Sequence, residues 1–508
     1  MLFISTDHVP WLLVDSLAIM SLQKGNARSR RVAEIQALVG RGERVAAMAI
    51  LEPLLLIDGR DPQLLSLAAR IHHESGNEHQ AVALSTRAIA ILEHPEPYFI
   101  RGDALRTLGR TEEAVADLLH AVKLEPNVES IRLALVAALE ESNRLEEARL
   151  ALAPILDRAK GGALSERAAY EHGKLLIHSG DFETAVQVID RAVAHVSAGS
   201  LPFIMLLHLR AKALDRSGRF DEAWESVNRA HDARGVVFDP EELKRRTDTL
   251  IGYWNRSKLL EAGRNINVDR TPVFIAGMPR SGTSLIDQVI HAHPSAAGVG
   301  ELNSVETWAE AVDEAVLRGH PESASTEFAV VARRYLADVR KAAPRAERIV
   351  NKALGNTRIL GHLGRLFPGS CIIHVQRDPR DVAVSCVMGA FGSQRYPWTA
   401  RPEWVAAAWR DSQRLMEHWS RELDLPILEV RYESLVQRGE PELRRIIDFI
   451  GLPWDAAVKD FHRVGRTVRT LSYDQVSRPL YSDSIGRWKN YERHLGGIDW
   501  PTTSGDTG

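Results

Sequence analysis

The feature that most constrains the fold is a motif that returns six times in the first half of the chain. A glycine, or once an asparagine, is followed five residues later by an alanine, and successive turns are 34, 33, 34, 37 and 38 residues apart. The pairs are Gly42/Ala47, Gly76/Ala81, Gly109/Ala114, Asn143/Ala148, Gly180/Ala185 and Gly218/Ala223. Apolar residues return at helical spacing between the pairs, so the motif predicts a stack of helical hairpins.

The length of the repeat and its two marker residues resemble the tetratricopeptide repeat. Glycine or asparagine suits the left-handed conformation that ends a first helix, and a small alanine lets the second helix cross its neighbour closely. The segment GRTEEAVADLLHAVKLEP carries the pattern most fully. We expect the array to occupy residues 28–235, with an irregular helical bundle as the alternative. Such arrays imply a peptide or protein ligand, and whether the array makes the chain a homodimer is left open.

Composition restricts the classes of function. A chain of 508 residues is too long for one hydrophobic core, so at least two domains are expected. The formal charge of −3 argues against a generally basic surface, and we predict no nucleic-acid partner. Cys371 and Cys386 are the only cysteines, which excludes a disulfide framework and fits a reducing compartment. Without an apolar run of roughly 18 residues no membrane span is expected. We therefore predict a cytoplasmic protein whose residues 1–27 are a leader rather than a signal peptide.

A phosphate-binding turn is predicted where the sequence changes character after the array. TPVFIAG is typical of a buried strand and leads directly into MPRSGTSLIDQVIHAHP, in which Gly277 and Gly282 permit a tight turn before a helix. The spacing matches the triphosphate-binding loop, but Thr283 stands where that loop needs lysine. Arg280 supplies the charge instead. This pattern predicts a donor with a terminal oxyanion group on a single 5'-phosphate, and no magnesium-bound triphosphate.

A second strand, charged turn and helix are predicted from GSCIIHVQRDPRDVAVSCV. Arg377 and Ser385 are eight residues apart, so a guanidinium group and a hydroxyl group are expected to hold one phosphate from two sides. The alternative is a solvated charge cluster in which Arg380 pairs with Asp381 and Arg377 with Asp378. A second phosphate site is what a 3'-phosphorylated nucleotide requires.

Together the two motifs resemble those of sulfotransferases that use 3'-phosphoadenosine-5'-phosphosulfate (PAPS). PRSGTSL looks like the loop that binds the 5'-phosphosulfate, and RDPRDVAVS looks like the motif that binds the 3'-phosphate. GELNS, VNKALGN and SYDQVSRPLYSDSIGRWKNY resemble blocks of the protein-tyrosine sulfotransferases. Bacterial proteins that fuse tetratricopeptide repeats to a sulfotransferase domain have the same layout. The resemblance implies a P-loop-like α/β domain with a mainly parallel sheet at 271–495, after a connecting helix at 236–270 and before a tail at 496–508.

The resemblance also implies roles for individual residues. Transfer to a hydroxyl group needs a base, and the position of Glu301 matches that base. Positive charge is needed where the 5'-phosphate departs, and Lys352 matches the lysine that contacts the bridging oxygen. Tyr432 is implied to lie near the nucleotide and Arg478 to reach the donor. The residues implied to hold the 5'-phosphosulfate are Arg280, Ser281, Gly282, Thr283 and Ser284, and those implied to hold the 3'-phosphate are Arg377 and Ser385.

Several of these residues have a structural alternative. Glu301 is otherwise a surface carboxylate or a partner of Arg280, Lys352 a solvent-facing amine and Tyr432 a packing residue. Others are interpreted by position alone. A hydroxyl group for the transferring sulfuryl group is expected from Thr467, Thr470 or Ser472. His291 and His293 are interpreted as packing or helix-end residues, so no metal is predicted. The tryptophans Trp398, Trp404 and Trp409 are interpreted as packing residues, with a place in the acceptor cleft as the alternative.

The prediction that follows is an α-helical tetratricopeptide solenoid joined to a PAPS-dependent sulfotransferase domain. The donor co-substrate is PAPS, and the first expectation for the acceptor is the hydroxyl group of a peptide tyrosine. A carbohydrate or lipid hydroxyl group is the alternative acceptor. Two other functions remain as rivals, an ATP-using P-loop kinase and a repeat-based interaction protein with an inactive C-terminal domain.

Overall fold

The chain folds into two compact units, residues Met1–Ala192 and Val193–Gly508. The computed structural model describes residues 28–160, 162–266, 268–302, 304–321, 328–391, 395–464 and 478–501. The first unit is helical. The second begins with a helical hairpin and continues into an α/β domain. The domain boundaries expected at 235 and 270 stay predictions.

Helices follow one another through the described part of the first unit, and consecutive helices such as α3 and α4, α5 and α6, and α7 and α8 pack together. Asp61 shows how one of them begins, since its side chain accepts hydrogen bonds from the first backbone N–H groups of α3. The helices are 28–40 (α1), Arg44–Ile57 (α2), Pro62–Glu74 (α3), Glu78–Ile89 (α4), Pro95–Thr107 (α5), Thr111–Leu124 (α6), Glu129–Glu141 (α7), Leu145–Ala159 (α8), Glu166–Ser179 (α9) and Phe182–Val193 (α10).

Both marker residues of the repeat have the conformation that the sequence predicts. All six turn residues have a positive φ, from 58° at Asn143 to 82° at Gly180. All six alanines five residues later are fully buried, with 0% exposure. The sixth pair, Gly218 and Ala223, belongs to the second unit. The prediction of a helical repeat array is therefore confirmed.

The second unit alternates helices with strands after its first hairpin. None of the helices in the described residues is long and apolar enough to cross a membrane. The strands are Pro272–Gly277 (β1), Ala296–Gly300 (β2), Arg348–Lys352 (β3), Cys371–Gln376 (β4) and Ile427–Arg431 (β5). The helices are Leu201–Arg216 (α11), Phe220–Arg234 (α12), Pro240–Tyr253 (α13), Arg256–Glu261 (α14), Thr283–His291 (α15), Ser304–Leu317 (α16), Phe328–Ala342 (α17), Asn356–Leu366 (α18), Pro379–Val387 (α19), Pro402–Glu422 (α20), Tyr432–Arg438 (α21), Glu440–Phe449 (α22) and the short Glu492–Leu495, with 3₁₀ turns at Pro397–Ala400, Ala456–Arg463 and Arg487–Tyr491.

The five strands form one parallel sheet in the order β2-β3-β1-β4-β5. The central strand β1 aligns Val273 with Val350 on one side and with Cys371 on the other. Every residue of β1 and β4 is buried, as expected for a parallel sheet that helices cover on both faces. The predicted mainly parallel sheet is confirmed.

Alternate residues of the strands face two separate apolar cores. Phe274 and Ile372 belong to one core, and Val273, Ile275 and Ile373 belong to the other. The segment at 236–270, for which we predicted a connecting helix, contains the two helices α13 and α14. Their apolar side chains are part of the first core, among them Leu250 and Leu259.

The order of the strands places a crevice between β1 and β4. From β1 the chain continues to β2 on one side of the sheet, and from β4 it continues to β5 on the other side. In open parallel sheets ligands bind beyond the carboxyl ends of two neighbouring strands whose connections diverge in this way. A ligand-binding site is therefore expected at the turn after β1 and the turn after β4.

The packing of the repeats predicts that a larger side chain destabilises the protein at one position of helix α6 and not at another. Ala114 is fully buried and Ala116 is exposed on the same helix. We expect Ala114→Leu to lower the free energy of unfolding by about 1–3 kcal/mol because the added atoms overpack the hairpin. Denaturant unfolding followed by circular dichroism measures it. The control Ala116→Leu leaves the free energy unchanged, and an equal loss in both variants would contradict the close crossing.

Candidate active site

The turn between β1 and α15 depends on two glycines. Gly277 has a φ of 149° and Gly282 a φ of 104°, both in the region that favours glycine. A Cβ atom on Gly277 would lie 2.6 Å from the carbonyl oxygen of Val375, and one on Gly282 would lie 2.6 Å from Cδ2 of Tyr432. The backbone therefore approaches both β4 and α21 more closely than any side chain permits.

Hydrogen bonds inside the turn hold it in shape. The hydroxyl group of Ser281 donates to the carbonyl oxygen of Met278 at 2.7 Å. The N–H group of Gly277 donates to Oγ1 of Thr357 at 3.1 Å. Helix α15 begins with Thr283, which is buried together with Ser284. The positive end of the helix dipole is consequently directed at the turn, which is the environment that an anion prefers.

Two arginines from neighbouring strand ends meet beside this turn. Nε of Arg280 donates to the hydroxyl oxygen of Ser385 at 2.8 Å, and Nη1 of Arg377 donates to the carbonyl oxygen of Arg280 at 2.9 Å. Nη2 of Arg377 also donates to the carbonyl oxygen of Ser484. Arg377 is only 4% exposed, and its Nε atom has no hydrogen-bond partner among the described residues. A buried guanidinium group with an unused donor fits an anionic ligand.

The structure brings Ser385 to Arg280, whereas the sequence predicted that it would share a phosphate with Arg377. Because Arg377 donates to the backbone of Arg280, all three residues still lie together. Arg380 pairs with Asp378 at 2.6 Å, which is not one of the two pairs that the alternative named. Arg377 does not follow that alternative, because its guanidinium group is buried beside the ring of Tyr432, 4.6 Å from the ring centroid.

The electrostatic environment of these arginines is positive. Burial lowers the pKa of Arg280, and the nearby Arg377 acts in the same direction. Asp381 lies 4.0 Å from Arg377, but its carboxylate accepts hydrogen bonds from the N–H groups of Gly486 and Trp488 at 2.8 and 2.9 Å. Burial raises the pKa of Asp381. The carboxylate of Asp381 thus lies close to Arg377 while two backbone N–H groups hold it in place.

A narrow groove continues from the arginines along α15 and α21. Tyr432 lines it, and its hydroxyl group forms a 2.6 Å hydrogen bond with the hydroxyl group of Ser484. Arg478 lines it as well, so the two residues that the resemblance placed near a nucleotide share one groove with Arg377. The residues of this groove that bear on the site are Gly282, Ser284, Arg377, Tyr432, Arg478 and Tyr481.

A lysine and a glutamate meet at the same edge of the sheet. Nζ of Lys352, at the end of β3, donates to Oε1 of Glu301, which follows β2. Lys352 is 3% exposed and Glu301 is 39% exposed. The solvent-facing alternative for Lys352 is therefore wrong, and the carboxylate of Glu301 pairs with this lysine rather than with Arg280. A buried cation beside an accessible carboxylate provides a charge-stabilising group and a proton acceptor side by side.

Three contributing residues were missed by the sequence reasoning. Asp381 and Ser484 fasten the segment around Gly486 to the arginine site, and Thr357 holds the N–H group of Gly277. Asp381 lies four residues after Arg377, and Ser484 falls within a block already matched to a family. Their carboxylate and hydroxyl groups were visible in the sequence, but their partners are distant in it.

The two histidines that the sequence analysis interpreted as packing or helix-end residues each hydrogen-bond with the backbone. Nε2 of His293 lies 2.8 Å from the carbonyl oxygen of Pro453, and Nδ1 of His291 accepts from the N–H group of Gly298 at 3.0 Å. Among the described residues no group of three or more His, Cys, Asp or Glu side chains is arranged to hold a metal ion. Thr467, Thr470 and Ser472 lie outside the described residues.

Comparison with known families agrees with the resemblance. Residues 272–456 match the family model described as "Sulfotransferase family", and residues 95–128 match the model of a tetratricopeptide repeat. The matched segments include both motifs after the strands and the fullest copy of the repeat. The predicted resemblance to sulfotransferases and to the tetratricopeptide repeat is therefore confirmed over these segments.

Individual relatives are distant. The chain is 26% identical over 425 residues to an uncharacterized protein of Aquifex aeolicus, over 79% of this chain and 54% of that protein, so it spans about half of the relative's length. It is 25% identical over 268 residues to "Protein-tyrosine sulfotransferase 1" of Danio rerio, over 48% of this chain and 74% of the relative. Among solved structures it is similar to the sulfotransferase domain of the Synechococcus PCC 7002 olefin synthase, at 21% identity and a TM-score of 0.30, over 45% of this chain and 97% of that domain.

The close approach at Gly282 predicts a steric defect. We expect Gly282→Ala to lower the midpoint of thermal unfolding more than Gly319→Ala does. Both glycines have a positive φ, but only a Cβ atom on Gly282 meets a neighbouring ring, whereas nothing lies within 4 Å of one on Gly319. Differential scanning calorimetry of both variants measures the difference. Equal shifts would show that conformational strain alone explains the need for glycine at 282.

Proposed function

We propose that this chain, a tetratricopeptide-repeat protein with a sulfotransferase-family domain, transfers the sulfuryl group of PAPS to an acceptor hydroxyl group. The observation that carries the proposal is the meeting of Arg280 and Arg377 at the ends of β1 and β4, with Ser385 bonded to the first. Two guanidinium groups beside a helix N-terminus suit a nucleotide that carries phosphate on both sides of its ribose.

The donor is bound by the two turns. The 5'-phosphosulfate would take the turn at 280–284, where backbone N–H groups and the side chain of Arg280 converge. The 3'-phosphate would take the guanidinium group of Arg377 and the hydroxyl group of Ser385, and the unused Nε atom of Arg377 supplies one donor for it. Thr283 in place of a lysine speaks against a triphosphate. These features favour PAPS over ATP, the donor of the rival kinase function.

The reaction exchanges one oxygen for another at sulfur. The acceptor oxygen attacks the sulfur atom and forms a new S–O bond, while the bond between sulfur and the bridging oxygen of the 5'-phosphate breaks. Glu301 takes the proton of the acceptor hydroxyl group. The ammonium group of Lys352 stabilises the charge that develops on the bridging oxygen of the leaving adenosine 3',5'-bisphosphate. The Glu301–Lys352 contact, which holds the two groups side by side, supports this division of roles.

The first proposal for the acceptor is a tyrosine hydroxyl group on a peptide. The relatives named protein-tyrosine sulfotransferases support this choice, and the repeat array supports a peptide or protein partner. A carbohydrate or lipid hydroxyl group is the alternative acceptor, and a homodimer stays open. The presence of Arg280, Glu301, Lys352, Arg377 and Ser385 in one domain speaks against an inactive interaction module.

A cytoplasmic location is part of the same proposal. Cys371 and Cys386 are both free and buried, and burial raises the pKa of these thiols to about 11 and about 12. Protonated buried thiols behave as small apolar side chains and fit a reducing compartment.

The role of Arg377 predicts a selective loss of nucleotide affinity. We expect Arg377→Ala to raise the Kd of adenosine 3',5'-bisphosphate about 10- to 100-fold, because a charged hydrogen bond to phosphate is lost. The Kd of adenosine 5'-monophosphate, which lacks the 3'-phosphate, should rise much less. Isothermal titration calorimetry of both nucleotides without a divalent ion makes the comparison, with Arg380→Ala as the charge-matched control. Equal losses for both nucleotides would remove Arg377 from the 3'-phosphate site, and magnesium-dependent ATP binding instead would favour the kinase.

The role of Glu301 predicts a catalytic defect without a binding defect. We expect Glu301→Gln to lower kcat roughly 100- to 10,000-fold, because general-base catalysis is lost, and to leave the Kd of adenosine 3',5'-bisphosphate unchanged. Transfer from ³⁵S-labelled PAPS to tyrosine peptides, sugars and lipid alcohols measures kcat. The exposed Glu347→Gln serves as the control. Normal kcat in the Glu301 variant would refute the role of base.

A further inference from the structure

One position of the repeat, three residues before the turn, links successive repeats to each other. At the second, third and fourth turns it carries a polar side chain that bonds to the first helix of the next repeat. The pairs are His73 with Asp103 on α5 at 3.1 Å, Arg106 with Glu141 on α7 at 2.6 Å and Glu140 with Lys174 on α9 at 2.9 Å. At the first and fifth turns the position is apolar, with Val39 and Ile177. A polar side chain at this position therefore joins one repeat to the repeat that follows.

The sixth turn has Asp215 at the same position, but the helices that follow α12 lead into the sheet and not into another repeat. The partners of its carboxylate come from residues 484–495, hereafter the 484–495 segment. The hydroxyl group of Tyr491 donates to Oδ1 of Asp215 at 2.5 Å, and the guanidinium group of Arg487 pairs with Oδ2. The side chain of Asp215 is only 9% exposed. The 484–495 segment thus makes the contact that a seventh repeat would make.

The same segment also covers the apolar face of α12. The ring of Tyr491 is fully buried beside Phe220 and Trp224, with ring centroids 5.5 and 5.4 Å away. The ring of His494 stacks on Trp224 with centroids 5.3 Å apart. In repeat arrays each repeat covers the apolar face of its neighbour, and the last repeat needs a cap. The 484–495 segment provides this cover for the sixth repeat.

The beginning of the segment lies at the arginine site. Nη2 of Arg377 donates to the carbonyl oxygen of Ser484, whose hydroxyl group forms a 2.6 Å hydrogen bond with the hydroxyl group of Tyr432. The N–H group of Gly486 donates to the carboxylate of Asp381 at 2.8 Å. A single short stretch of chain therefore bonds to the arginine site at its beginning and to the sixth repeat further along.

The hairpin of α11 and α12 also holds helix α19. Nε2 of His231, on α12, hydrogen-bonds the carbonyl oxygen of Val387 at the end of α19, at 2.8 Å. Val384 and Val387 pack in one apolar cluster with side chains of α12. Ser385, which accepts a hydrogen bond from the first arginine of the site, lies on this helix. The hairpin therefore fixes two elements of the arginine site relative to each other, α19 and the 484–495 segment.

We propose that Asp215 is a positioning residue of the donor site. Its carboxylate holds Arg487 and Tyr491, and the segment in turn keeps Ser484 at Arg377. The sixth repeat thereby sets the affinity of the site for the 3'-phosphate. The proposal rests on the proposed function, because it takes Arg377 to bind that phosphate. It gives this repeat a role in donor binding that is separate from the binding of a peptide partner.

The test measures two nucleotides that differ in the 3'-phosphate alone. We expect Asp215→Ala to raise the Kd of adenosine 3',5'-bisphosphate about 3- to 10-fold, because Arg377 loses a contact that orients it, and the Kd of adenosine 5'-monophosphate much less. Isothermal titration calorimetry with the full chain measures both values. Glu225→Ala, which removes an exposed carboxylate from α12, is the matched control and should change neither. No rise, or the same rise for both nucleotides, overturns the proposal.

A milder variant separates positioning from a loss of the fold. Tyr491→Phe removes the hydrogen bond to Asp215 and keeps the packed ring. We expect it to raise the Kd of adenosine 3',5'-bisphosphate about 2- to 5-fold and that of adenosine 5'-monophosphate less. Unchanged or equally raised Kd values in this variant overturn the proposal as well.

Hydrogen exchange without nucleotide tests the contact itself. Followed by mass spectrometry, the N–H groups of residues 484–491 should exchange about 3-fold or more faster in Asp215→Ala and in Tyr491→Phe than in the unmodified chain, because the segment has lost a contact that holds it. Exchange in helix α15 should stay unchanged, which reports that the domain is folded. Unchanged exchange at 484–491 in both variants overturns the proposal.

The positioning role and the proposed function fail separately. If the unmodified chain does not bind adenosine 3',5'-bisphosphate, the proposed function falls and the positioning role falls with it. If the nucleotide binds with a Kd that neither variant changes, the proposed function stands and the positioning role alone is wrong.

Discussion

The hydrogen bond from Arg377 to the carbonyl oxygen of Arg280 joins the ends of β1 and β4, and the rest of the site depends on it. It can form only because Gly277 and Gly282 let the turn after β1 lie close to the strand and helix beside it. Arg280 itself has a φ of 68°, a conformation that a residue other than glycine seldom adopts. Packing on both sides of the turn thus maintains the strained backbone conformation of Arg280, as is common where a ligand is bound.

The same arginine site is tied to the last hairpin of the repeats through one connecting segment. Asp381 holds the backbone of Gly486 and Trp488, and the next residues reach α11, where the hydroxyl group of Tyr491 donates to Asp215 at 2.5 Å. His231 of α12 also hydrogen-bonds the carbonyl oxygen of Val387, at the end of α19. The sixth repeat therefore packs against the side of the second unit that carries the two arginines, which explains why it groups with that unit although its sequence matches the array.

What the sequence predicted well was local or periodic. The αL turns, the buried alanines and the strands that end at Lys352 and just before Arg377 follow from residue type and spacing. What it missed depends on contacts between distant segments. Ser385 bonds to Arg280 rather than to Arg377 because β4 lies beside β1. The order of the strands in the sheet cannot be read from the local sequence. Leu243, Thr247 and Leu250 of α13 line one cavity and do recur at helical spacing. The local sequence does not indicate what this face of the helix covers.

The position of positive charge decides which donor the second unit suits. In a triphosphate loop a lysine at the start of the helix reaches the β- and γ-phosphates. Here Thr283 occupies that place, and the charge is divided between Arg280 inside the turn and Arg377 just after the neighbouring strand β4. The second anionic group that this arrangement suits would therefore lie on the opposite side of the ribose and not at the far end of a polyphosphate. A cation on β4 has little to offer a linear triphosphate bound along the turn, whereas a 3'-phosphate would lie beside it. The placement of the two arginines thus supports the class of nucleotide that we propose.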